Sequence, residues 1–295
     1  MKRLEKLFTD HYKKMFIVPV LLLVFSLVFL GIQYAQTGSL INKDISLKGG
    51  TSATISVPTV INMEALTEAL QQQFPASDIS VRELADITTG TRVGVIIEAT
   101  DITNKELEPF LEKQLQLTLT EDNYSVEEVG SSLGSSFFKE LILAVIFSFI
   151  LMSIVVFITF RKIVPSLMVI FTAFTDIVAT LAIVNIFGMR ISAAGVAAFL
   201  LLIGYSIDTD ILLITKTLKR KEGTVLERMF GSMKTGLTMT MTTFVAVTVG
   251  LIISNSAVLR QIFTVILVGL IVDVIATYLG NAPVLLWYTK KKNMT

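Results

Sequence analysis

Apolar residues along the chain gather into six runs, at 15–34, 139–160, 164–187, 191–215, 235–254 and 262–288. Each is long enough to cross a hydrocarbon layer as a helix, for which about 20 residues suffice. Between the first and second runs, over 35–135, the pattern changes to short alternations and turn residues. About 100 residues of this kind make one small domain. A strand is predicted at 52–57, where Ala53, Ile55 and Val57 alternate with polar residues, and a helix at 62–74 carries Met63, Leu66, Ala69 and Leu70 at helical spacing behind an Asn62 cap. Strands at 79–84 and 92–99 flank the turn Thr88-Thr89-Gly90-Thr91. A second helix at 103–117 puts Leu107, Phe110, Leu111 and Leu115 on one face, and a closing strand runs over 124–129. The order β-α-β-β-α-β predicts a ferredoxin-like α+β domain. The fold class that follows is a membrane α-helical bundle of six transmembrane helices with that domain inserted, outside the cytoplasm, between helices 1 and 2.

Lysine and arginine in short flanks set the orientation. Lys2, Arg3, Lys6, Lys13 and Lys14 precede the first run, and Arg161 and Lys162 separate the second from the third. Lys216, Lys219, Arg220, Lys221 and Arg228 lie between the fourth and fifth, and Lys290, Lys291 and Lys292 follow the sixth. The other side offers Arg190 and Arg260. Residues 1–14 are therefore a cytoplasmic segment, 15–34 helix 1, 35–135 the extracytoplasmic domain, 136–288 helices 2–6 and 289–295 a cytoplasmic tail. The protein is expected in the cell membrane, multi-pass, with both termini cytoplasmic. The first run is longer than a signal-peptide core and lacks a cleavage site of small residues, so it reads as a retained anchor. Leu4, Leu7 and Phe8 suit a helix lying on the membrane surface, with a disordered basic tail as the alternative.

Composition narrows the chemistry. With 53% hydrophobic and 17% charged residues and a net charge of +1, nothing points to nucleic acid. No cysteine is present, and the single histidine, His11, sits in the amino-terminal segment. Thiol, disulfide and histidine-metal chemistry inside the membrane are excluded. The Lys48-Gly49-Gly50-Thr51 stretch precedes a strand rather than a helix, so a tight turn or close backbone contact fits it better than phosphate binding.

Carboxylates remain. Gly204-Tyr205-Ser206-Ile207-Asp208-Thr209-Asp210 sets two acids inside an apolar run. An aspartate at the bilayer centre costs at least about 2.5 kcal/mol, which a chain accepts where the group faces protein or water and has a task. Two residues apart on a helix, Asp208 and Asp210 point about 200° from each other, so this helix needs protein on two sides. Asp176 in the third run sits with Thr172 and Thr180; Asp273 in the sixth shares a stripe with Gly269, Thr277 and Gly280. Lys234 opens the hydroxyl-rich fifth run and has two readings: it reaches inward to an acid or snorkels to the headgroups. Asn185, Asn281 and Arg260 lie near run ends and read as interfacial. The set suggests proton or ion handling rather than hydrolysis. No catalytic residue, metal site or cofactor is implied. An intramembrane aspartyl protease would need two acids sharing a proton, which the pair on one helix does not supply.

One helix, a large domain and five further helices resemble one half of a resistance-nodulation-division transporter, and within that superfamily the SecD/SecF protein-export family. The sequence Asp44-Ile45-Ser46-Leu47-Lys48-Gly49-Gly50-Thr51 resembles the family's acidic-Phe-x-Gly-Gly-Thr signature. Glu128-Val129-Gly130-Ser131-Ser132-Leu133-Gly134 resembles its Val-Gly-Pro-x-Val/Leu-Gly motif, and Thr175-Asp176-Ile177 its His-Asp-Val. Gly204, Tyr205 and Ser206 open its Gly-Tyr-Ser-Ile-Asn-Asp-Thr motif, where they serve helix packing. Here that motif continues Asp208-Thr209-Asp210, so the family's central aspartate falls on Thr209. Lysine replaces an arginine at the head of the fifth helix, with Lys234 displaced by one residue, and Asp273 stands where bacterial members have a small residue. These departures resemble the archaeal branch. The resemblance implies a non-enzymatic accessory subunit that acts with SecD beside the Sec translocon channel on a translocating polypeptide, embedded in membrane lipid and coupled to the proton gradient. Proton-coupling candidates are then Asp208, Asp210, Asp176, Asp273 and Lys234. A small-molecule exporter half and a non-conducting translocon scaffold are the alternatives.

The charge asymmetry yields a direct test. In intact cells, a cysteine introduced by Ser77→Cys should label with an impermeant reagent, and one introduced by Lys221→Cys should not. The reverse pattern would overturn the orientation.

Overall fold

The computed structural model describes residues 12, 14–57, 61–85, 92–219, 222–254 and 256–292. The expected surface helix over 1–14, Tyr12 and Lys14 apart, and the turn at 88–91 lie outside these residues, as do Arg220 and Lys221. Helix α1 (Ile17–Thr37) is followed by the short α2 (Ile45–Lys48), β1 (Gly50–Ile55), α3 (Met63–Gln73), β2 (Ile79–Ala85), β3 (Arg92–Ala99), α4 (Asn104–Leu115) and β4 (Tyr124–Val129). Then come α5 (Ser131–Phe160), α6 (Ile163–Ile186), α7 (Ala193–Lys219), α8 (Val225–Ile253) and α9 (Ala257–Ala276). A π-helical turn over Thr277–Asn281 joins α9 to α10 (Ala282–Lys291). The chain forms two compact units: a sheet unit of Lys43–Ile142 with Arg190–Ala193, and a helical unit of the remainder.

In the sheet unit the strand order is β2-β3-β1-β4, and every neighbouring pair is antiparallel. Burial along β1 alternates residue by residue, the period-two pattern of a strand with one packed face. Ala53, Ile55, Ile97 and Ala99 face Leu70, Leu107 and Leu111 from the two helices, all 0% exposed. Each fully buried leucine contributes about 1.5–3 kcal/mol. The helices start where the sequence provides caps: Asn62 Oδ1 accepts the Ala65 N–H at 3.1 Å, and Glu106 Oε2 accepts the Thr103 N–H at 3.1 Å. Gly49 and Gly50 have φ of 87° and 133°. A Cβ on Gly49 would lie 2.3 Å from Ser131 Cα, and one on Gly50 would lie 2.3 Å from the Ala99 carbonyl oxygen. The pair is thus a close backbone approach, as its position before a strand predicts. The helix α2 just before it was not expected; the Asp44 carboxylate caps it by accepting the Ser46 N–H at 2.7 Å.

Among the described residues, six helices are long and apolar enough to cross a membrane. Three begin several residues earlier than their apolar runs, among them α9, which starts at Ala257. α5 starts at Ser131, and α8 starts at Val225 behind a capping box in which Thr224 Oγ1 and the Glu227 N–H meet at 3.3 Å. A capping box fixes where a helix starts whatever the apolar content of the turns that follow, so a count of apolar residues misses it. Inside the helical unit, small residues permit close contact. Ala173, Ala179 and Ala182 of α6 are 0% exposed, and the place a Gly269 Cβ would take is filled by Leu202, 2.5 Å away. Phe147, Leu151 and Ile163 point outward with 60%, 60% and 71% exposure, the surface a bilayer would cover. The architecture is an α-helical membrane bundle joined to a domain built on a small antiparallel sheet.

Residues 38–130 alone should melt cooperatively by circular dichroism, and Leu111→Ala should lower the stability of that fragment by about 2–5 kcal/mol. A coil-like spectrum, or a Leu111→Ala melt matching the parent, would contradict the core described.

Candidate functional site

Three buried carboxyls meet inside the helical unit, one each from α6, α7 and α9. Asp176 is 1% exposed, Asp210 0% and Asp273 2%. Asp210 accepts hydrogen bonds from three sides: Thr172 Oγ1 of α6, Thr277 Oγ1 at 3.0 Å and Asn281 Nδ2 at 2.8 Å. Ser206 Oγ, one turn before Asp210 on α7, donates to Asp176 Oδ2 at 2.5 Å. Asp273 meets Thr209 Oγ1 at 3.3 Å and accepts from Thr277 Oγ1 at 3.2 Å. Asp176 Oδ1 is left without a donor.

The local sequence explains the convergence. Thr172 and Asp176 are four apart on α6, Ser206 and Asp210 four apart on α7, and Asp273 and Thr277 four apart on α9 and the turn after it. That spacing stacks side chains on one face. The π turn then widens the helix so that Asn281 also faces Asp210; such turns recur at functional sites. Thr277 is the joint of the network. Its single hydroxyl proton lies between Asp210 and Asp273 and is shared between them or serves one at a time.

Among the described residues, no Lys or Arg is ion-paired with this cluster. Among the described residues, Lys48, Arg82 and Arg190 form the ion pairs given by the structure, all with acids of the sheet unit. A carboxylate withdrawn from water without a paired charge costs several kcal/mol even after relaxation. Three ionised carboxylates side by side would each carry that cost. Among the described residues, no group of three or more His, Cys, Asp or Glu side chains is arranged to hold a metal ion.

The other candidates lie elsewhere. Asp208 is exposed, on the opposite face of α7 from Asp210. Gly204 and Tyr205 share that outward face: Gly204 has open space around it, and the Tyr205 hydroxyl lies 2.5 Å from Thr243 Oγ1 of α8. Within this chain the motif therefore divides, Ser206 serving the buried acids and Gly204 and Tyr205 facing out. Lys234 is exposed on α8, lining a 650 Å³ hollow with Leu237, Thr238, Met241, Thr242 and Val245. It is not among the hydrogen-bond partners of the acids. Asn281, expected at a membrane interface from its place near a run end, is fully buried against Asp210. The offset that the π turn introduces is invisible to a count of 3.6 residues per turn, and that is why it was missed.

With this geometry in hand, the matches to known proteins become informative. Residues 111–291 match the family model described as "Protein export membrane protein SecD/SecF, C-terminal". The chain belongs to the SecD/SecF protein-export family. Two relatives named protein-export membrane protein SecF are similar throughout. That of Methanolacinia petrolearia is 34% identical and is covered over 94% of its length by 95% of this chain. That of Pyrococcus furiosus is 34% identical, covered over 96% by 99% of this chain. Among solved structures, SecDF of Thermus thermophilus superposes with a TM-score of 0.73 at 18% identity over 95% of this chain. This chain spans 38% of the length of that protein. At such identity the superposition speaks for the fold alone.

Thr277→Val keeps the volume of the joint and deletes its proton. Leaving buried carboxyl oxygens short of a donor costs about 1–3 kcal/mol, so the detergent-solubilised variant should melt earlier. Its carboxyl infrared bands should also shift where Asp210→Asn removes a band. A spectrum and melt identical to the parent would show that Thr277 does not join the two acids.

Proposed function

We propose that this chain is a SecF-type accessory subunit of the Sec protein translocation machinery, acting with SecD to promote export of polypeptides across the cytoplasmic membrane. Its family, and relatives of almost equal length that carry the SecF name, support that role. In the solved SecDF protein the corresponding region is 38% of one longer chain, which fits a second helical half supplied here by SecD. Asp208, Gly204 and Tyr205 on α7 and Lys234 on α8 are exposed in this chain and are the positions such a half would cover. The sheet unit is a ferredoxin-like domain outside the cytoplasm, both termini are cytoplasmic, and the partners are SecD, the translocon channel, the translocating polypeptide and membrane lipid.

The reading extends to proton coupling, and one observation carries it: three buried carboxyls on three helices share hydroxyl and amide donors and have no basic partner among the described residues. A proton crossing the membrane releases about 2.3 kcal/mol per 100 mV. Adding or removing a proton at Asp210 changes which oxygens need donors, and so changes which contacts between α6, α7 and the π turn are favoured. A bundle with two arrangements close in free energy is tipped by such a change. Asp176 and Asp273, side by side, hold a proton between them, and Thr277 offers the path between Asp273 and Asp210.

The two acids of α7 should then behave differently. Asp210→Asn keeps size and hydrogen bonding and deletes the change of charge; it should assemble with SecD and lose the stimulation of export in energised membrane vesicles. Asp208→Asn should mainly weaken co-purification with SecD. If Asp210→Asn stimulates export like the parent, the buried acids are not the coupling groups.

A further inference from the structure

Where α7 ends and α8 begins, the helical unit holds a hollow of about 470 Å³, a size usual for small-molecule sites. Lys216 of α7 lines it, with Glu222 and, from α8, Glu227, Arg228, Gly231 and Thr235. Arg228, Gly231 and Thr235 stand three and four residues apart, which puts them on one face of α8. Gly231 leaves the gap in that stripe, since a Cβ there would meet nothing within 4 Å. Packing does not require a glycine at this position.

The charges around the hollow are only partly used. Lys216 Nζ donates to Thr235 Oγ1 at 2.9 Å, and an ammonium has further protons to give. Arg228 Nε is buried without a hydrogen-bond partner among the described residues. A guanidinium that merely snorkelled to water would have that nitrogen wet, whereas a covered, unserved donor requires an acceptor. Neither base is ion-paired among the described residues. Of the two acids, Glu227 is committed to its own helix, its Oε2 accepting the Thr224 N–H at 2.9 Å. Glu222 is exposed. The hollow thus offers two cations and, beside them, one carboxylate.

Two observations tie its occupant to the bilayer. The apolar runs end at 215 and resume at 235, so Lys216 and Thr235 stand at the edge of the hydrocarbon. Basic hollows between spanning helices at that depth take phospholipid headgroups. The stripe also continues along α8, for Gly231, Thr235, Thr238 and Thr242 follow at steps of four, three and four. Thr238 and Thr242 line the 650 Å³ hollow together with Leu237, Met241 and Val245. A charged hollow at the helix start is followed on the same face by an apolar trough, the order of parts in a lipid.

We propose that this hollow holds the headgroup of a membrane phospholipid that carries both a phosphate and an ammonium, of the phosphoethanolamine type. Lys216 and Arg228 hold the phosphate through charge-assisted hydrogen bonds, which are stronger than neutral ones. Glu222 meets the ammonium, and an acyl chain lies along Leu237, Met241 and Val245. A headgroup with a phosphate and no ammonium leaves Glu222 beside an uncompensated negative charge, and binds more weakly. Lys234, at the margin of the trough, is among the positions assigned above to SecD, so the lipid lies where that half meets the bilayer. None of these side chains is a hydrogen-bond partner of Asp176, Asp210 or Asp273, and the site stands whether or not protons drive export.

Native mass spectrometry of the full chain in detergent tests this by counting retained lipids. The parent should bind one dioleoylphosphatidylethanolamine about tenfold more tightly than dioleoylphosphatidylglycerol, the difference one charged hydrogen bond makes. Lys216→Gln and Arg228→Gln should each weaken that binding about tenfold, and Glu222→Gln should remove the preference between the two lipids. Gly231→Leu fills the hollow, keeps every charge and should abolish retention, while Gly231→Ala is too small to fill it and should bind like the parent. Both Gly231 variants should melt no lower than the parent, because leucine and alanine favour a helix over glycine; a loss of binding in Gly231→Leu is then not unfolding. Equal retention of the two lipids by the parent, unchanged binding in both cation variants, or retention by Gly231→Leu would overturn the site. Displacement of the lipid by soluble O-phosphoethanolamine at matched concentration would overturn its assignment to a lipid.

Discussion

Burying carboxyls without a basic partner is the constraint around which the helical unit is organised. Asp176, Asp210 and Asp273 are all within 2% of complete burial, and an ion in that position is stabilised only by donors that the helices themselves bring. The chain supplies Thr172, Ser206, Thr209, Thr277 and Asn281. Donors of this length reach a carboxyl only if the helices run close. The alanines of α6 and the glycine at 269 are therefore part of the electrostatics as much as of the packing. A larger residue at Gly269 would displace Leu202 and with it the spacing between α7 and α9 that lets Thr209 face Asp273.

The donors are also fewer than the acceptors. Six carboxyl oxygens face a handful of hydroxyl and amide protons, and Asp176 Oδ1 and Asn281 Oδ1 are left unserved. In apolar surroundings each such deficit is costly.

Much of the fold was legible because its signals are local. Alternation of Ala53, Ile55 and Val57, the helical spacing of Leu107 and Leu111, and six long apolar runs each follow from a single stretch of sequence. What escaped were features that a count of apolar residues does not register. α2 exists because Asp44 caps it and Gly49 lets Ser131 approach. The early start of α8 goes with the capping box of Thr224 and Glu227, and the π turn with what it faces. The opposed directions of Asp208 and Asp210 could be read from their spacing, as could the stripe of Asp273 and Thr277. The burial of Asn281 could not, because one extra residue per turn rotates everything after it.

The departure from the family motif gains a physical sense from the same geometry. The resemblance puts the family's central aspartate on Thr209, and Asp273 where bacterial members carry a small residue. In this structure those two side chains meet, Thr209 Oγ1 lying 3.3 Å from Asp273 Oδ2. A carboxyl at 209 together with Asp273 would force two charges into one unpaired spot, while a hydroxyl at 209 with a small residue at 273 would leave the spot without an acid. Threonine on α7 with aspartate on α9 keeps one carboxyl and one donor there and exchanges the helices that carry them. In this chain α7 keeps one buried acid, Asp210, beside the Thr209 hydroxyl, and α9 supplies the carboxyl that Thr209 meets.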